Sequence, residues 1–419
     1  MLIAGFIGNV VEWYDFALYG FFASVFSRIF FPESSGTANL LAVYGIFAAG
    51  FVMRPIGSVV FGWMGDRWGR SRTMMVSVAL MALPTMFLGL LPDYQSIGLA
   101  APVTLVALRL IQGLSVGGEF STSVVYLVET ADEDKRGRAG SMANLGSITG
   151  IALGSLMAMA VLNLLPQDQA YDWGWRVAYF IGGIIGVAAL WLRRHLPRSP
   201  AFELQKQDQK PDTPIKETLT TVFPQTLKAT IFAGGYGVLF YLATVYFPNW
   251  LANHQDIDLK VAMRLNTATL IVMLPAVYLS GWLSDRFIDR KWLVSIALLM
   301  SAFIGWGSFE ISLDGSFMTV ILSQFSLALL LAVLLGTAPV LFTTLFPARN
   351  RNTGYSISYA IGMGIIGGAT PMTATWLIDI TGHEASPGYL LAGVTFIATL
   401  AVLSMRNTSQ LDLNPKQHK

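Results

Sequence analysis

The chain has 419 residues, of which 54% are hydrophobic and only 12% are charged. Soluble domains carry roughly 25% charged residues, so this composition excludes an ordinary water-soluble fold and indicates an all-α polytopic membrane protein. The net charge of +2 gives no indication of nucleic-acid binding, and the absence of cysteine excludes disulfides and sulfur-ligated metal sites.

Apolar blocks long enough to span a bilayer, at about 20 residues each, recur along the whole chain. They predict twelve transmembrane helices near residues 3–29, 37–63, 73–91, 99–129, 139–164, 175–194, 222–252, 262–283, 292–312, 316–346, 353–379 and 387–405. A polar stretch at 195–221 divides them into an N-terminal half, 1–194, and a C-terminal half, 222–405. We expect this stretch to be a cytoplasmic linker, and 406–419 to be a short cytoplasmic tail. Because Met1 leads directly into the first block, we expect no cleavable signal peptide, and a cytoplasmic leader outside this numbering.

The first block carries two carboxylates near its middle, Glu12 and Asp15, one helical turn apart. Asn9, Glu12, Phe16 and Tyr19 fall on one face of this helix. An ionised carboxylate at bilayer depth is costly, so such residues usually mark a transport path. We interpret the helix as the proton-handling wall of a transporter, with Asp15 as the first choice for the proton site and Glu12 next. The alternative is a structural pair that is bonded to a neighbouring helix and never titrates.

Basic residues are concentrated in alternate loops, which fixes the expected orientation. One side of the membrane receives Arg67, Arg70, Arg72, Lys135, Arg136, Arg138, Arg193, Arg194, Arg198, Arg286, Arg290, Lys291, Arg349 and Arg351. The other side receives only Arg28, Arg176, Lys260 and Arg264. Because short cytoplasmic loops are enriched in Lys and Arg, the first side is predicted to be cytoplasmic, with both termini inside.

An internal repeat supports the division into two halves. The stretch from Gly62 to Arg72, GWMGDRWGRSR, recurs at 281–291 as GWLSDRFIDRK, and each copy joins the second and third helices of its half. Two six-helix halves with a site between them near the middle of the membrane are typical of secondary transporters.

The sequence then resembles a known family. Gly62-x-x-x-Asp66-Arg67-x-Gly69-Arg70 is similar to the signature loop of the major facilitator superfamily, and Arg109-x-x-Gln112-Gly113 resembles its second motif. More narrowly, four stretches resemble the metabolite:proton symporter family, and within it the proline/betaine-type members. They are Gly8-Asn9-x-x-Glu12-Trp13-Tyr14-Asp15-Phe16, Arg54-Pro55-x-Gly57, Gly117-Gly118-Glu119-Phe120 and Leu196-Pro197-x-Ser199-Pro200-x-Phe202. The resemblance implies the twelve-helix major facilitator fold and proton-coupled uptake by alternating access.

It also implies a latch that holds the outward-facing state, made by the repeated loop. The expected gating residues are Gly62, Asp66, Arg67, Gly69, Arg70, Arg136 and, from the second copy, Asp285. Asp66 is well placed to meet the positive end of a neighbouring helix, which in the superfamily is helix 11. Because Ile288 replaces the second glycine in the second copy, we expect the latch of Asp285 to be weaker. The alternative role for Asp66 is simple topogenic charge.

Arg109, near the middle of the fourth block, is the expected partner of a substrate carboxylate or of a helix-1 carboxylate. Glu119 lies ten residues further on and is a third candidate for proton coupling. Arg54 is expected to form a structural ion pair with an acidic residue; the alternatives are that it faces the cavity or reaches toward the cytoplasmic surface. The remaining predicted substrate-binding residues are polar or aromatic, because aromatic faces attract ammonium groups: Asn9, Trp13, Tyr19, Tyr236, Phe240, Tyr241, Trp250, Gln324, Tyr355 and Tyr359. Their alternative role is interface belts and helix packing.

One central arginine surrounded by aromatic residues suits a zwitterion such as proline or betaine, or a small monocarboxylate. We therefore predict a symporter in a bacterial inner membrane that binds a small solute and protons, needs no cofactor and works as a monomer. The alternatives are an organic mono- or dicarboxylate:proton symporter, a proton-independent uniporter, and a non-transporting nutrient receptor on the same scaffold. The sequence shows no nucleotide-binding loop and no catalytic constellation, so we expect neither an ATP-driven pump nor an enzyme.

Overall fold

The computed structural model describes residues 2–405 except 33–35, 69, 118, 195–219, 221, 288 and 348–350. These residues are almost entirely helical, and no strand occurs among them. Twelve helical segments follow one another at the positions of the twelve apolar blocks. The predicted linker is outside the described residues apart from Thr220, and the predicted tail is wholly outside them.

The first half contains six segments. They are α1 (Leu2–Phe21, continued by Ala23–Ile29), α2 (Gly36–Trp68), α3 (Arg70–Leu90), α4 (Ala100–Ser115 and Glu119–Thr130), α5 (Arg136–Leu164) and α6 (Trp175–Arg194). The second half repeats the count with α7 (Phe223–Tyr241, Leu242–Tyr246 and Phe247–His254), α8 (Leu259–Arg286), α9 (Arg290–Asp314), α10 (Phe317–Leu345), α11 (Arg351–Tyr359, Ala360–Gly367 and Thr370–Thr381) and α12 (Ser386–Leu403). Leu242–Tyr246 and Ala360–Gly367 are π-helical.

Local sequence explains where several helices begin. Asp258 and Asp289 cap α8 and α9, each accepting a hydrogen bond from a backbone N–H in the first turn at 2.8 Å. Proline stands in the first turn of α7 and α12, where its missing N–H costs nothing. Within the described ranges, nine helices are long and apolar enough to cross a membrane, while α3 and α4 contribute the shorter apolar stretches Met75–Leu90 and Ala100–Ser115.

The packing pattern of the first half recurs in the second. In the first half α1 packs on α5, α2 on α4 and α3 on α6. In the second half α7 packs on α11, α8 on α10 and α9 on α12. Each pair of the second half is the corresponding pair of the first with six added to both helix numbers. The repeat seen in the loop sequences therefore extends to the arrangement of the helices.

The halves meet along several helix pairs, which we call seams. α5 packs against α8 and α10, α2 against α11, the second part of α4 against α10 and α11, and α1 against the π-helical segment of α7. We call the end of the bundle that carries the α4–α5 and α8–α9 loops the basic end. Glycines allow close approach there, because a methyl group added to Gly137 of α5 would overlap the carbonyl oxygen of Gly281 in α8.

Candidate functional site

The two carboxylates of α1 are both buried, and each is paired with a different arginine. Glu12 is 6% exposed and Asp15 is 1% exposed. Asp15 pairs with Arg109 of α4, whereas Glu12 pairs with Arg54 of α2. One helical turn along α1 therefore separates two ion pairs that lead to two different neighbouring helices.

The Asp15–Arg109 pair is enclosed within the first half. Arg109 Nη1 donates to Asp15 Oδ2 at 2.7 Å, and Thr85 of α3 donates to Asp15 Oδ1 at 2.7 Å. On the guanidinium side, Nη2 lies 3.4 Å from the hydroxyl of Tyr179 in α6, and the Tyr19 ring lies 4.1 Å below Cζ. Because the pair is buried and hydrogen-bonded on both sides, removing one partner would leave an uncompensated charge, at a cost of about 3–5 kcal/mol.

The Glu12–Arg54 pair lies at the boundary between the halves. Arg54 Nη2 is 3.2 Å from Glu12 Oε1, and its guanidinium lies 4.2 Å from the Phe51 ring and 5.6 Å from the Trp13 ring. The second half is directly beside it, because a Cβ added to Gly364 of α11 would lie 3.5 Å from Arg54 Cδ. Arg54 thus forms the ion pair expected of it, and its surroundings include both halves.

Phe16 connects the two ion pairs. Its ring centroid is 5.0 Å from Cζ of Arg54 and 5.5 Å from Cζ of Arg109. Both guanidiniums therefore interact with the one aromatic ring, which lies on the predicted polar face of α1. A movement of either arginine would therefore change the packing of the Phe16 ring against the other.

Three of the predicted substrate-binding residues meet beside Arg54. The Trp13 ring packs edge-on against Phe240 of α7 with centroids 4.9 Å apart, and it lies 6.5 Å from Tyr241. Tyr241 also packs on Phe51 at 5.3 Å. We call Trp13, Phe240 and Tyr241 the aromatic box, and it is built from both halves.

Several buried polar atoms of this region have no hydrogen-bond partner among the described residues. Around the aromatic box they include Nδ2 of Asn9, Nε1 of Trp13 and the hydroxyl of Tyr241. Their side chains belong to residues that are only 1–2% exposed. A buried donor without an acceptor costs about 1–3 kcal/mol, so such atoms ask for an explanation.

A small cavity lies on the other side of Glu12. Its volume is about 20 Å³, and it is lined by Glu12, Ser77, Ser115 and apolar side chains of α1, α3 and α4. This volume holds about one water molecule. The cavity therefore lies between Glu12 and the side chains of α3 and α4.

Other predicted binding residues lie around or away from this centre. Tyr236 neighbours Phe240 at 6.5 Å, and Tyr359 stacks on Phe120 at 5.0 Å and packs against Tyr355. Trp250 lies elsewhere, since its indole donates to the carbonyl of Glu384 in the α11–α12 connection. Gln324 also lies elsewhere, donating to Asn266 of α8 at 2.9 Å. The structure does not bring these last two to the ion pairs.

The structure describes the side chains of only some of the predicted gating residues. Gly62, Asp66, Arg67 and Arg70 belong to α2 and α3, but their side chains, like that of Glu119 in α4, are outside the described part, and so is Gly69 altogether. Arg136 pairs with Glu133 of the preceding turn at 3.4 Å. The neighbouring Arg138 pairs with Asp285 of the other half at 3.4 Å.

Asp285, the predicted gating residue of the second copy of the repeat, forms a contact between the halves at the basic end. Its carboxylate, 0% exposed, accepts from the backbone N–H of Gly137 at 2.6 Å and of Arg138 at 3.1 Å, at the start of α5. Arg138 Nε and Arg290 Nη2 add ion pairs at 3.4 and 3.0 Å. A negative charge at a helix N-terminus is favourable, so this contact joins the two halves at the basic end.

The opposite end is also held by contacts between the halves. Ser24 of α1 donates to Asn249 of α7 at 3.1 Å, and Asn249 donates to the Gly20 carbonyl at 2.9 Å. Along α5 and α8 the hydroxyls of Ser155 and Thr267 are 2.8 Å apart. The halves therefore contact each other at both ends in this conformation.

Arg54 is the functional candidate that the sequence reasoning set aside. It is a single charge within a long apolar block, which is the same signal that selected Arg109. Thr85 and Tyr179 were not anticipated at all, because a lone hydroxyl in an apolar helix carries no signal of what it faces. Only the packing of α3 and α6 against α1 and α4 reveals their roles.

Comparisons with known proteins agree with this architecture. A family model described as "Sugar (and other) transporter" matches residues 1–233, and one described as "Major Facilitator Superfamily" matches residues 229–419. Among solved structures, a D-xylose–proton symporter superposes with a TM-score of 0.76 at 17% identity, covering 98% of both chains. The inward-open xylose transporter XylE of Escherichia coli gives a TM-score of 0.78 at 17% identity, covering 99% of this chain and 97% of its own. These structures share the fold.

Relatives found by sequence have a higher identity to this chain than these structures do. The proline/betaine transporter of Salmonella typhimurium (strain LT2) is 29% identical over 427 residues, covering 98% of this chain and 84% of its own. That of Escherichia coli (strain K12) is 28% identical over 424 residues, with the same coverage. A Staphylococcus aureus (strain COL) protein, whose name also refers to proline/betaine transport, is 30% identical over 406 residues, 96% of this chain and 86% of its own. The chain therefore belongs to the major facilitator superfamily, on the branch that includes the proline/betaine transporters, and is a membrane transporter rather than an enzyme.

Proposed function

We propose that the protein is a proton-coupled symporter that imports a small zwitterion, such as proline or betaine, by alternating access. The named function of its relatives supports the solute class. The loop charges support a bacterial inner-membrane location with the basic end in the cytoplasm. The observation that carries the proton coupling is the buried pair of Asp15 and Arg109.

In the proposed mechanism Asp15 is the proton carrier. Protonation of its carboxylate removes the charge that Arg109 holds at 2.7 Å and weakens the contact between α1 and α4. Tyr179 and the Tyr19 ring remain beside the guanidinium, so the released cation is not left without partners.

Solute binding is coupled to the Asp15–Arg109 pair through the Phe16 ring. A solute that binds at Arg54 displaces that guanidinium from the Phe16 ring, on which Arg109 also packs. Coupling between the two binding events must be reciprocal, so proton binding at Asp15 raises solute affinity by the same factor. This path replaces the direct contact of solute with Arg109 that the sequence suggested, because Arg109 is enclosed by the first half.

The decisive experiment uses proteoliposomes containing purified protein. We expect the wild type to accumulate labelled proline or betaine when the outside is made acidic. Asp15→Asn should keep solute exchange between equal pools but lose accumulation driven by the gradient, since the carboxamide takes up no proton. Asp258→Asn, an isosteric change at the cap of α8, is the matched control and should accumulate solute normally.

Three results would contradict the proposal. Accumulation by Asp15→Asn at the wild-type level would remove Asp15 as the carrier. Wild-type uptake that ignores the pH gradient would indicate a uniporter. Binding without counterflow would indicate a receptor on the same scaffold.

A further inference from the structure

The two buried ion pairs differ in what happens to them when the halves part. Asp15 and Arg109 are held by α1, α3, α4 and α6, all of the first half. Arg54 instead lies against Gly364 of α11, and both Arg54 and Glu12 are near enough to Tyr241 of α7 and Tyr359 of α11 to interact electrostatically. Separation of the halves therefore uncovers the Glu12–Arg54 pair and leaves Arg109 enclosed.

The uncovered wall of α1 offers donors that nothing in the described structure uses. Asn9 and Trp13 are four residues apart and share a face of the helix, with Glu12 between them. Asn9 Nδ2 and Trp13 Nε1 have no acceptor among the described residues, although both side chains are almost fully buried. A carboxylate accepts up to about four hydrogen bonds. Together with Arg54, this wall has the donor set for one carboxylate.

The aromatic residues beside this wall suit a cation. Trp13, Phe240 and Tyr241 form the aromatic box, and the Trp13 ring is only 5.6 Å from the Arg54 guanidinium. Aromatic faces attract substituted ammonium groups, which make few hydrogen bonds of their own. The box therefore places a cation site directly beside the carboxylate donors.

We propose that Glu12 and Arg54 form a clamp for the two charges of a zwitterionic solute. The solute carboxylate takes the place of Glu12 on Arg54, and the solute ammonium lies between Glu12 and the aromatic box. The small cavity beside Glu12 gives its carboxylate room to move as the pair opens. This assignment rests on the proposed function and deepens it, because it names the groups that recognise each end of the solute.

The need to compensate both buried charges makes the clamp selective. Opening a buried ion pair is favourable only if both charges find new partners. A zwitterion supplies one partner to Glu12 and one to Arg54, so no charge is left over. A monocarboxylate would leave Glu12 uncompensated, a simple cation would leave Arg54 uncompensated, and a dicarboxylate would bring a second negative charge beside Glu12.

The test is equilibrium binding to the full-length protein in nanodiscs, measured by titration calorimetry at fixed pH and salt. Three probes separate the two charges: betaine, its uncharged-end carbon isostere 3,3-dimethylbutyrate, and choline, which has the ammonium and no carboxylate. We expect the wild type to prefer betaine over either single-charge probe by about tenfold or more, the worth of a charged hydrogen bond.

The variants should change these preferences in different ways. Glu12→Gln should weaken betaine and leave 3,3-dimethylbutyrate unchanged or tighter, which erases the preference between them. Arg54→Gln should weaken both carboxylate-bearing probes by about tenfold or more and leave choline unchanged or tighter, because no guanidinium is then left uncompensated. Asp258→Asn, remote from the clamp, should leave all three affinities as in the wild type.

A lone buried charge can prevent folding, so the double variant Glu12→Gln with Arg54→Gln provides a second route. It removes both charges together, and it should fold, as judged by a monodisperse elution profile, and bind betaine and 3,3-dimethylbutyrate with similar weak affinity. If the wild type binds betaine and neither single variant nor the double variant alters its preference, the clamp is wrong while the proposed function stands. If the wild type binds no zwitterion at all, the proposed solute class falls together with the clamp.

Discussion

The Asp285 latch at the basic end permits a quantitative prediction. Asp285→Asn keeps the side-chain volume but removes the charge and turns an amide group toward backbone N–H donors. Three of the four contacts cross between the halves, namely those to the N–H groups of Gly137 and Arg138 and to Arg138 Nε. The fourth, to Arg290, remains within the second half.

The magnitude follows from these crossing contacts. A capping acceptor is worth about 1 kcal/mol and a charge-assisted hydrogen bond about 1.5–3 kcal/mol. Because the asparagine retains one carbonyl acceptor, we expect the closed state of the basic end to lose roughly 2–3 kcal/mol relative to the open state. That is a shift of roughly 30- to 150-fold in the ratio of closed to open molecules.

The chain suits a distance measurement because it has no cysteine. Cysteines introduced at the exposed positions Lys135 and Phe287, at the start of α5 and the end of α8, accept one spin label each. Pulsed electron paramagnetic resonance should show a single short distance in the parent and an added longer component in Asp285→Asn. Asp258→Asn removes the charge of a capping residue at the opposite end of α8, where the contact does not cross the halves, and should leave the distances unchanged. An unaltered distribution in Asp285→Asn would refute the role of the latch.

Two glycine substitutions test the close helix contacts. Gly137→Ala places a methyl group against the carbonyl oxygen of Gly281, so it should open the basic end in the same distance measurement and reduce transport; wild-type distances would contradict this. Gly113→Ala places a methyl group against the carbonyl oxygen of Gly50, a contact between α2 and α4 inside one half, and should lower thermal stability by about 1–3 kcal/mol without changing solute preference. Gly393→Ala, whose added methyl meets nothing within 4 Å, is the control for both, and an equal loss of stability in it would remove the steric explanation.

Much of the architecture follows from the sequence, because hydropathy and loop charge act along single helices. The twelve blocks coincide with twelve helical segments, and the repeat of the basic loops corresponds to repeated helix pairs. The break of α4 after Ser115 and the π-helical segments of α7 and α11 were not predicted. Each changes the backbone hydrogen-bond register, to which the hydropathy of a block is insensitive.

The site was predictable in its components and less so in its connections. The spacing of Glu12 and Asp15 indicates that the two carboxylates lie one turn apart, but it does not say which helix provides the partner of each. Two arginines lie within the apolar blocks, and in the structure Arg54 pairs with Glu12 and Arg109 pairs with Asp15. Trp250 shows the same limit, since an aromatic residue that faces the middle of a bundle and one that anchors a loop look alike in sequence.

The seam of α5 and α8 has a mechanical consequence. Both are rods of 29 and 28 residues, about 42 Å long at 1.5 Å per residue, and they are joined near one tip by Asp285 and toward the other by Ser155 and Thr267. Tilting one rod by about 10° around its midpoint moves each tip by roughly 3.5 Å, more than the length of the bonds found there. We therefore expect the two helices to pivot about their middle, so that the end at which the contacts persist decides the side from which solute enters or leaves.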